Sequence, residues 1–207
     1  MHRISTVFHS ISGRYFSFYK NGGKIMTDLS HIVLTNYCYP DCKPLLNIMR
    51  LDKKSSFEMA GDMAKKHPNT TAFYRFVDFE NYFELRNKQD SYLYQEFCKL
   101  GGCPEEKHPI SFVVGTSDYL KEWFGNGFET VLRLNEIDPN HISFTIGDSG
   151  ALYKQNGYVE LLMISDLQER LDYYGGDLDA LLKSANCHYI EAQLWSDSYI
   201  KNIVMKS

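Results

Sequence analysis

Three groups of residues have types and spacings that suit chemistry. Glu191-Ala192-Gln193 lies in an apolar run from His188 to Trp195 that alternates as a strand, so Glu191 and Gln193 share one face. Ile190, Ala192 and Leu194 take the opposite face, against a core. A strand showing Glu and Gln beside Tyr189 and Trp195 is either an edge in water or a cleft wall. Phe76–Arg86 gathers Asp78, Glu80, Tyr82, Glu84 and Arg86 among aromatics, with no helical stripe. Such a segment lines a surface or a cleft, and the planar fork of Arg86 suits a diphosphate or carboxylate. The competing role for Arg86 is an ion pair with Glu84 or Asp90. Ser143-Phe144-Thr145, followed by Asp148-Ser149, ends a strand in hydroxyls and a carboxylate. Hydroxyls there commonly satisfy local backbone groups.

Other constellations carry less. Cys38-x3-Cys42, Cys98-x4-Cys103 and Cys187-His188 have near-zinc spacings, but Pro40-Asp41 interrupts the first and a helix end splits the second. Buried cysteines acting as small apolar side chains are expected instead, with no metal. Gly101-Gly102 and Gly175-Gly176 follow helices, where a phosphate loop precedes one, so they read as C-caps. His67 and His108 precede prolines and are expected as solvated turn residues, whereas His31 opens a buried strand.

The elements that must hold these residues alternate between strand and helix. Expected strands are His31–Thr35, Ala72–Val77, Ile110–Val114, Thr130–Leu134, His141–Ile146, Tyr158–Met163, His188–Trp195 and a final one over Tyr199–Met205. Expected helices are Pro44–Arg50, Ser56–Lys66, Asn87–Leu100, one capped by Thr116 or Ser117, Ser165–Tyr174 and Asp177–Ala185. Ser55 and Glu58 suggest a capping box for the second of these. The pattern predicts an α+β fold: a single mixed domain whose largely antiparallel or split sheet is flanked by helices.

Composition narrows the classes. The chain has 207 residues, 43% hydrophobic and 23% charged, enough apolar content for a core and too much for disorder. No apolar run approaches the roughly 18 residues of a membrane span, and five cysteines without an apolar signal region suggest a reducing, cytoplasmic setting. The net charge is −4. Arg3, Arg14, Lys20 and Lys24 precede the first acid, Asp28, so 1–25 takes four of the 22 basic residues and none of the 26 acidic ones. The remainder carries −8, which repels nucleic acid. Asn21–Met26 can be encoded with a GGAGG run ahead of the Met26 codon, as at a bacterial ribosome-binding site. Residues 1–25 are therefore expected to be a non-domain extension and 26–207 the globular domain. Glycine codons lacking that purine run remove this expectation. The other reading is a hairpin turning at Asn21-Gly22.

His31-x-x-x-Thr35-Asn36, followed by Leu45, Leu46 and Ile48, resembles the opening of the ADP-ribosyltransferase-like superfamily, in its branch of DNA-modifying toxins. Tyr82-Phe83-x-x-Arg86 ahead of Leu93-Tyr94 is similar to that branch's aromatic-plus-arginine segment. Tyr189–Leu194 resembles its terminal strand with the catalytic glutamate. The likeness covers about forty scattered residues, in order. The chain departs from the branch at Asn87–Asp90, where the toxins have Ser-Pro-Met, and lacks the Ser-Thr-Ser and Arg-Ser-Glu sets. The resemblance implies that Glu191 stabilises an oxocarbenium-like ribose as NAD is cleaved. It implies Arg86 on the pyrophosphate, His31 and Thr35 on the adenosine ribose or amide, and Tyr82 stacked on nicotinamide. Ser143 would join the cofactor-binding set. Two alternatives stand beside it: a non-catalytic nucleotide- or peptide-binding domain, and a ribonuclease using His31, His108, His141 or His188.

Overall fold

The computed structural model describes residues 24–204, with side chains over 26–203, and the backbone of 10–11, 14–15 and 18–21. Two short antiparallel pairs come first: β1 (Ser10–Ile11) with β2 (Arg14–Tyr15), and β3 (Phe18–Asn21) with β4 (Lys24–Thr27). The register runs from Phe18 opposite Thr27 to Asn21 opposite Lys24. The end of β4 is tied down, because the Thr27 amide donates to Asp172 Oδ1 at 2.6 Å.

The central sheet contains β5 (Val33–Cys38), β6 (Ile110–Val114), β7 (Phe128–Arg133), β8 (Ile142–Ile146) and β9 (Ile190–Leu194), in the order β7-β5-β6-β9-β8. Every neighbouring pair is antiparallel. The expected α+β class with an antiparallel sheet is what the chain adopts. Alternation divides the sheet into two faces. Leu34, Phe112, Val114, Ile142, Phe144, Ile190, Ala192 and Leu194 fill the main core. Leu167 and Leu171 of α5 (Ile164–Tyr173) and Leu178 and Leu181 of α6 (Leu178–Ser184) close it.

The second face is polar. Thr35, Val113, Glu191 and Thr145 form one cross-strand row, and Ser111, Gln193 and Ser143 form the next. Helix α2 (Phe79–Lys99) covers part of it with a stripe at 86, 89, 90, 93 and 97, spacings that share one helical face. Its C-terminal half is apolar, placing Leu93 and Phe97 with Trp195, Val159 and Leu161. The N-terminal half carries Arg86, Gln89 and Asp90. Phe97 stacks on Trp195 at 5.6 Å with both side chains fully buried. A Cβ on Gly102 would fall 2.4–2.5 Å from the Phe97 ring. Gly102→Ala should therefore cost about 2 kcal/mol or more, read as a lower urea midpoint.

Several local expectations are corrected. Ala72–Val77 is not a strand: Thr71–Asp78 is a 3₁₀ helix running directly into α2. Phe73, Phe76 and Phe79 recur every three residues, the 3₁₀ period, and their rings contact at 5.4–5.6 Å. Helix α2 thus begins eight residues before Asn87 and takes in Tyr82 and Arg86. Helix α1 (Lys53–Lys66) is capped by Asp52, which accepts from the Ser55 amide, rather than by a Ser55–Glu58 box. Pro44–Arg50 is helical only as a 3₁₀ turn at Ile48–Arg50, after Leu45 at φ 60°. Tyr158–Met163 makes a single bridge, Leu162 to Phe144, instead of a strand. A 3₁₀ turn at Asp197–Tyr199 and α7 (Lys201–Val204) replace the final strand, whose Met205 lies outside the described residues. Ser117 caps α3 (Asp118–Trp123) as expected, accepting from the Leu120 amide. Helix α4 (Ser149–Asn156) was not foreseen. Among the described residues no helix is long and apolar enough to cross a membrane.

Candidate functional site

The polar face of the sheet becomes a site where α4 and the N-terminal half of α2 meet it. Glu191 is 7% exposed, and both its oxygens are engaged. Ser111 Oγ donates to Oε1 at 2.7 Å, and the Ser149 amide at the start of α4 donates to Oε2 at 2.8 Å. Asp148 caps α4 by accepting from the Ala151 amide, and Tyr189 donates its phenol to Asp148 Oδ2 at 3.2 Å. Gln89 of α2 donates to Ser149 Oγ at 2.9 Å, which locks the two helices together.

Burial first, and the charge of Asp148 second, push the Glu191 carboxyl above its ordinary range. The hydrogen bonds from Ser149 and Ser111 pull the other way. Tyr189 is pushed up by burial, then by the two carboxylates. The cation is Arg86. Burial alone would lower its pKa, but Asp90, Tyr82, Glu191 and Asp148 face it and together hold it above its usual value. Its side chain is 17% exposed, and Nη2 lies 3.2 Å from the fully buried Asp90. That contact is an ion pair without the alignment of a hydrogen bond, and Arg86 Nε has no partner among the described residues. The guanidinium therefore keeps donors to spare.

Asp90 is itself anchored at 2.7 Å by His108 Nδ1, so His108 is a half-buried network member and not the solvated turn residue expected. His67 is half-buried as well, between Tyr39, Phe73 and the Asp41 carboxylate. A second arginine, Arg75, feels Asp148 and Tyr82 and donates from Nε to Tyr74 Oη at 2.8 Å. Aromatic rings continue outward from it: Tyr74 to Trp123 at 6.2 Å, Trp123 to Tyr119 at 5.8 Å, and Tyr119 stacked on His188 at 4.5 Å. Tyr119 also lies over Tyr189 at 6.5 Å.

No family model, curated protein or solved structure matches the chain. The site is thus argued from its own geometry. Of the residues singled out in the sequence, the structure brings Glu191, Arg86 and Tyr82 into one electrostatic group. Thr35 stands in the same cross-strand row as Glu191, two strands away, with its hydroxyl donated to the Gly115 carbonyl. Ser143 is fully buried and spent, donating to Gln193 and accepting from the Trp195 indole. His31 is not in the strand at all: it ends a 3₁₀ turn capped by Asp28, and its side chain is 68% exposed.

Sequence reasoning missed Arg75, Ser111 and the Asp90–His108 pair. The Arg86–Asp90 ion pair is one of the two competing partners named from the sequence, whereas the contact of His108 with Asp90, 18 residues apart, has no local signal. Ser111 needed the sheet register, which puts it beside Glu191 on the neighbouring strand. The cysteines are free and divided: Cys38 is buried, Cys42 and Cys187 are half-buried, and Cys98 and Cys103 are exposed, against the expectation of burial. Among the described residues no group of three or more His, Cys, Asp or Glu is placed to hold a metal ion.

Proposed function

We propose that the chain is an NAD-dependent ADP-ribosyltransferase-like enzyme whose cofactor cleft is the Arg86–Glu191 group. One observation carries this reading. The Arg86 guanidinium, set on α2 with Nε unpartnered among the described residues, is held charged in part by the buried Glu191 carboxylate on β9. In the reaction, the electron pair of the nicotinamide–ribose bond leaves with nicotinamide. The acceptor atom then supplies the pair for the new bond to the ribose and gives its proton to Glu191. An anion beside the ribose lowers the energy of the cationic centre formed between these events, because it is oriented in advance and screened from water. The Ser111 hydroxyl and the Ser149 amide fix the Glu191 carboxylate in position. Arg86 and Arg75 suit the diphosphate, and Tyr82 offers a ring for the nicotinamide.

The direct test is incubation of the full chain with NAD, with released nicotinamide and a modified acceptor as the readouts. Tyr82→Ala should raise KM for NAD roughly tenfold while kcat changes little, since a stacking contact holds ground and transition state alike. Steady-state kinetics decide it.

A second reading has its own support. Both Glu191 oxygens are already hydrogen-bonded, as expected of a carboxylate that braces a non-catalytic nucleotide-binding cleft. In that case NAD or a nucleotide binds and no nicotinamide is released.

A further inference from the structure

The two outermost strands of the sheet differ. Among the described residues β8 is bridged once, Phe144 to Leu162, whereas β7 has β5 as its sole ladder partner. The Leu134 amide donates to the Ile32 carbonyl at 3.0 Å, in line with the Val33–Arg133 register. Because antiparallel residues alternate between facing the ladder and facing away, Leu132, Thr130 and Phe128 bond to β5. Glu129, Val131 and Arg133 turn their amides outward. The side chains of these same three residues share the sheet face that carries Thr35. Val131 is 52% exposed and the Arg133 side chain 71% exposed. Edge strands usually carry charge to repel other strands. Here the charges are arranged symmetrically about an apolar residue, and that arrangement is complementary to itself.

We infer that β7 pairs antiparallel with β7 of a second copy of the chain, with Val131 opposite Val131 and Glu129 opposite Arg133 on each side of the two-fold axis. The outward amides of Val131 and Arg133 fit this register and no register shifted by one residue. It joins two five-stranded sheets into a continuous ten-stranded one. The other charges facing the contact are Lys121, 2.9 Å from Glu129, and Glu136, 4.0 Å from Arg133. Each keeps its own partner, so Glu129 comes to lie between Lys121 and the incoming arginine. A parallel pairing in register would set Glu129 on Glu129 and is disfavoured by that repulsion. The inference is independent of the proposed enzymatic activity.

Sedimentation velocity on the full chain across a concentration series tests it. The expected result is a monomer–dimer equilibrium that Glu129→Arg and Arg133→Glu each weaken roughly tenfold or more, through like charges facing across the axis. The doubly swapped chain, Glu129→Arg with Arg133→Glu, should dimerise more tightly than either single reversal, though less tightly than the parent because Lys121 and Glu136 then face like charges. Val131→Pro removes only an outward amide and should also give a folded monomer, checked by circular dichroism. A chain that stays monomeric into the high-micromolar range overturns the inference. So does a dimer indifferent to the single reversals, or a double swap that pairs no more tightly than either of them.

Discussion

Replacing Glu191 with glutamine should lower turnover of NAD by about 10³-fold or more while the protein folds well and still binds nucleotide. The substitution is nearly isosteric, and the local hydrogen bonds can be kept. The amide oxygen accepts from the Ser149 N–H, and the amide nitrogen donates to Ser111 Oγ, which has lone pairs available. What is lost is the negative charge, and in the proposed reaction that charge both stabilises the developing cation and takes up the acceptor's proton. The pH dependence follows from the raised carboxyl pKa. With the folded pKa above the unfolded one, the folded state holds its proton longer. The stability this gives is fully present below the ordinary value of 4.5 and is lost as pH rises through the folded value. Glu191→Gln escapes that loss, so it should be the more thermostable form near pH 7, with the gap closing below about pH 4.5. Turnover by the parent chain should rise with pH along an acid limb set above the usual carboxylate range, and the variant should lack that limb. Unaltered turnover in Glu191→Gln would overturn the role given to Glu191, and NAD binding by the parent chain without turnover would leave the second reading, a binding cleft without chemistry.

What the sequence disclosed about this site depended on period. The run around Glu191 alternates cleanly, so its face and its strand were legible, as was the antiparallel α+β class. Arg86 was legible as a residue but not as a position. The aromatics before it repeat every three residues, a period that belongs to neither strand nor α-helix, so the pattern over Ala72–Val77 passes for an extended segment. Once α2 begins at Phe79, Arg86 moves onto the helical face that also holds Gln89, Asp90, Leu93 and Phe97. His31 failed for a different reason. Asp28 accepts from the Ser30 amide and turns the chain into a 3₁₀ coil just before the strand, a local competition that apolar content alone does not reveal. Partners distant in sequence, such as Ser111 with Glu191 across 80 residues, are fixed by register, which a single sequence does not specify.

Asp90→Ala should destabilise the fold by about 3–5 kcal/mol, among the largest effects of any single substitution, although Asp90 touches no substrate in the proposed reaction. The carboxylate is fully buried between the Arg86 guanidinium at 3.2 Å and His108 Nδ1 at 2.7 Å. Removing it takes away the strongest counter-charge of a nearly buried cation, leaving the weaker effects of Glu191 and Asp148, and desolvation is then largely uncompensated. For a chain of this length the melting temperature should fall by roughly 10 °C. The cause is isolated by a double-mutant cycle with Arg86→Met, which removes the stranded charge at similar volume. If the Arg86 pair carries the effect, the double variant should recover much of the loss, giving a coupling of about 1–3 kcal/mol by urea denaturation. If the His108 contact carries it, the double variant is as unstable as the sum of the two single ones. Full recovery would also mean that Asp90 holds the guanidinium in place chiefly for its ligand. A buried pair that can be replaced by apolar groups at little cost contributes position more than stability. In that event Asp90→Asn, which keeps the bond to His108 and drops the charge, should raise KM for NAD more than it lowers kcat.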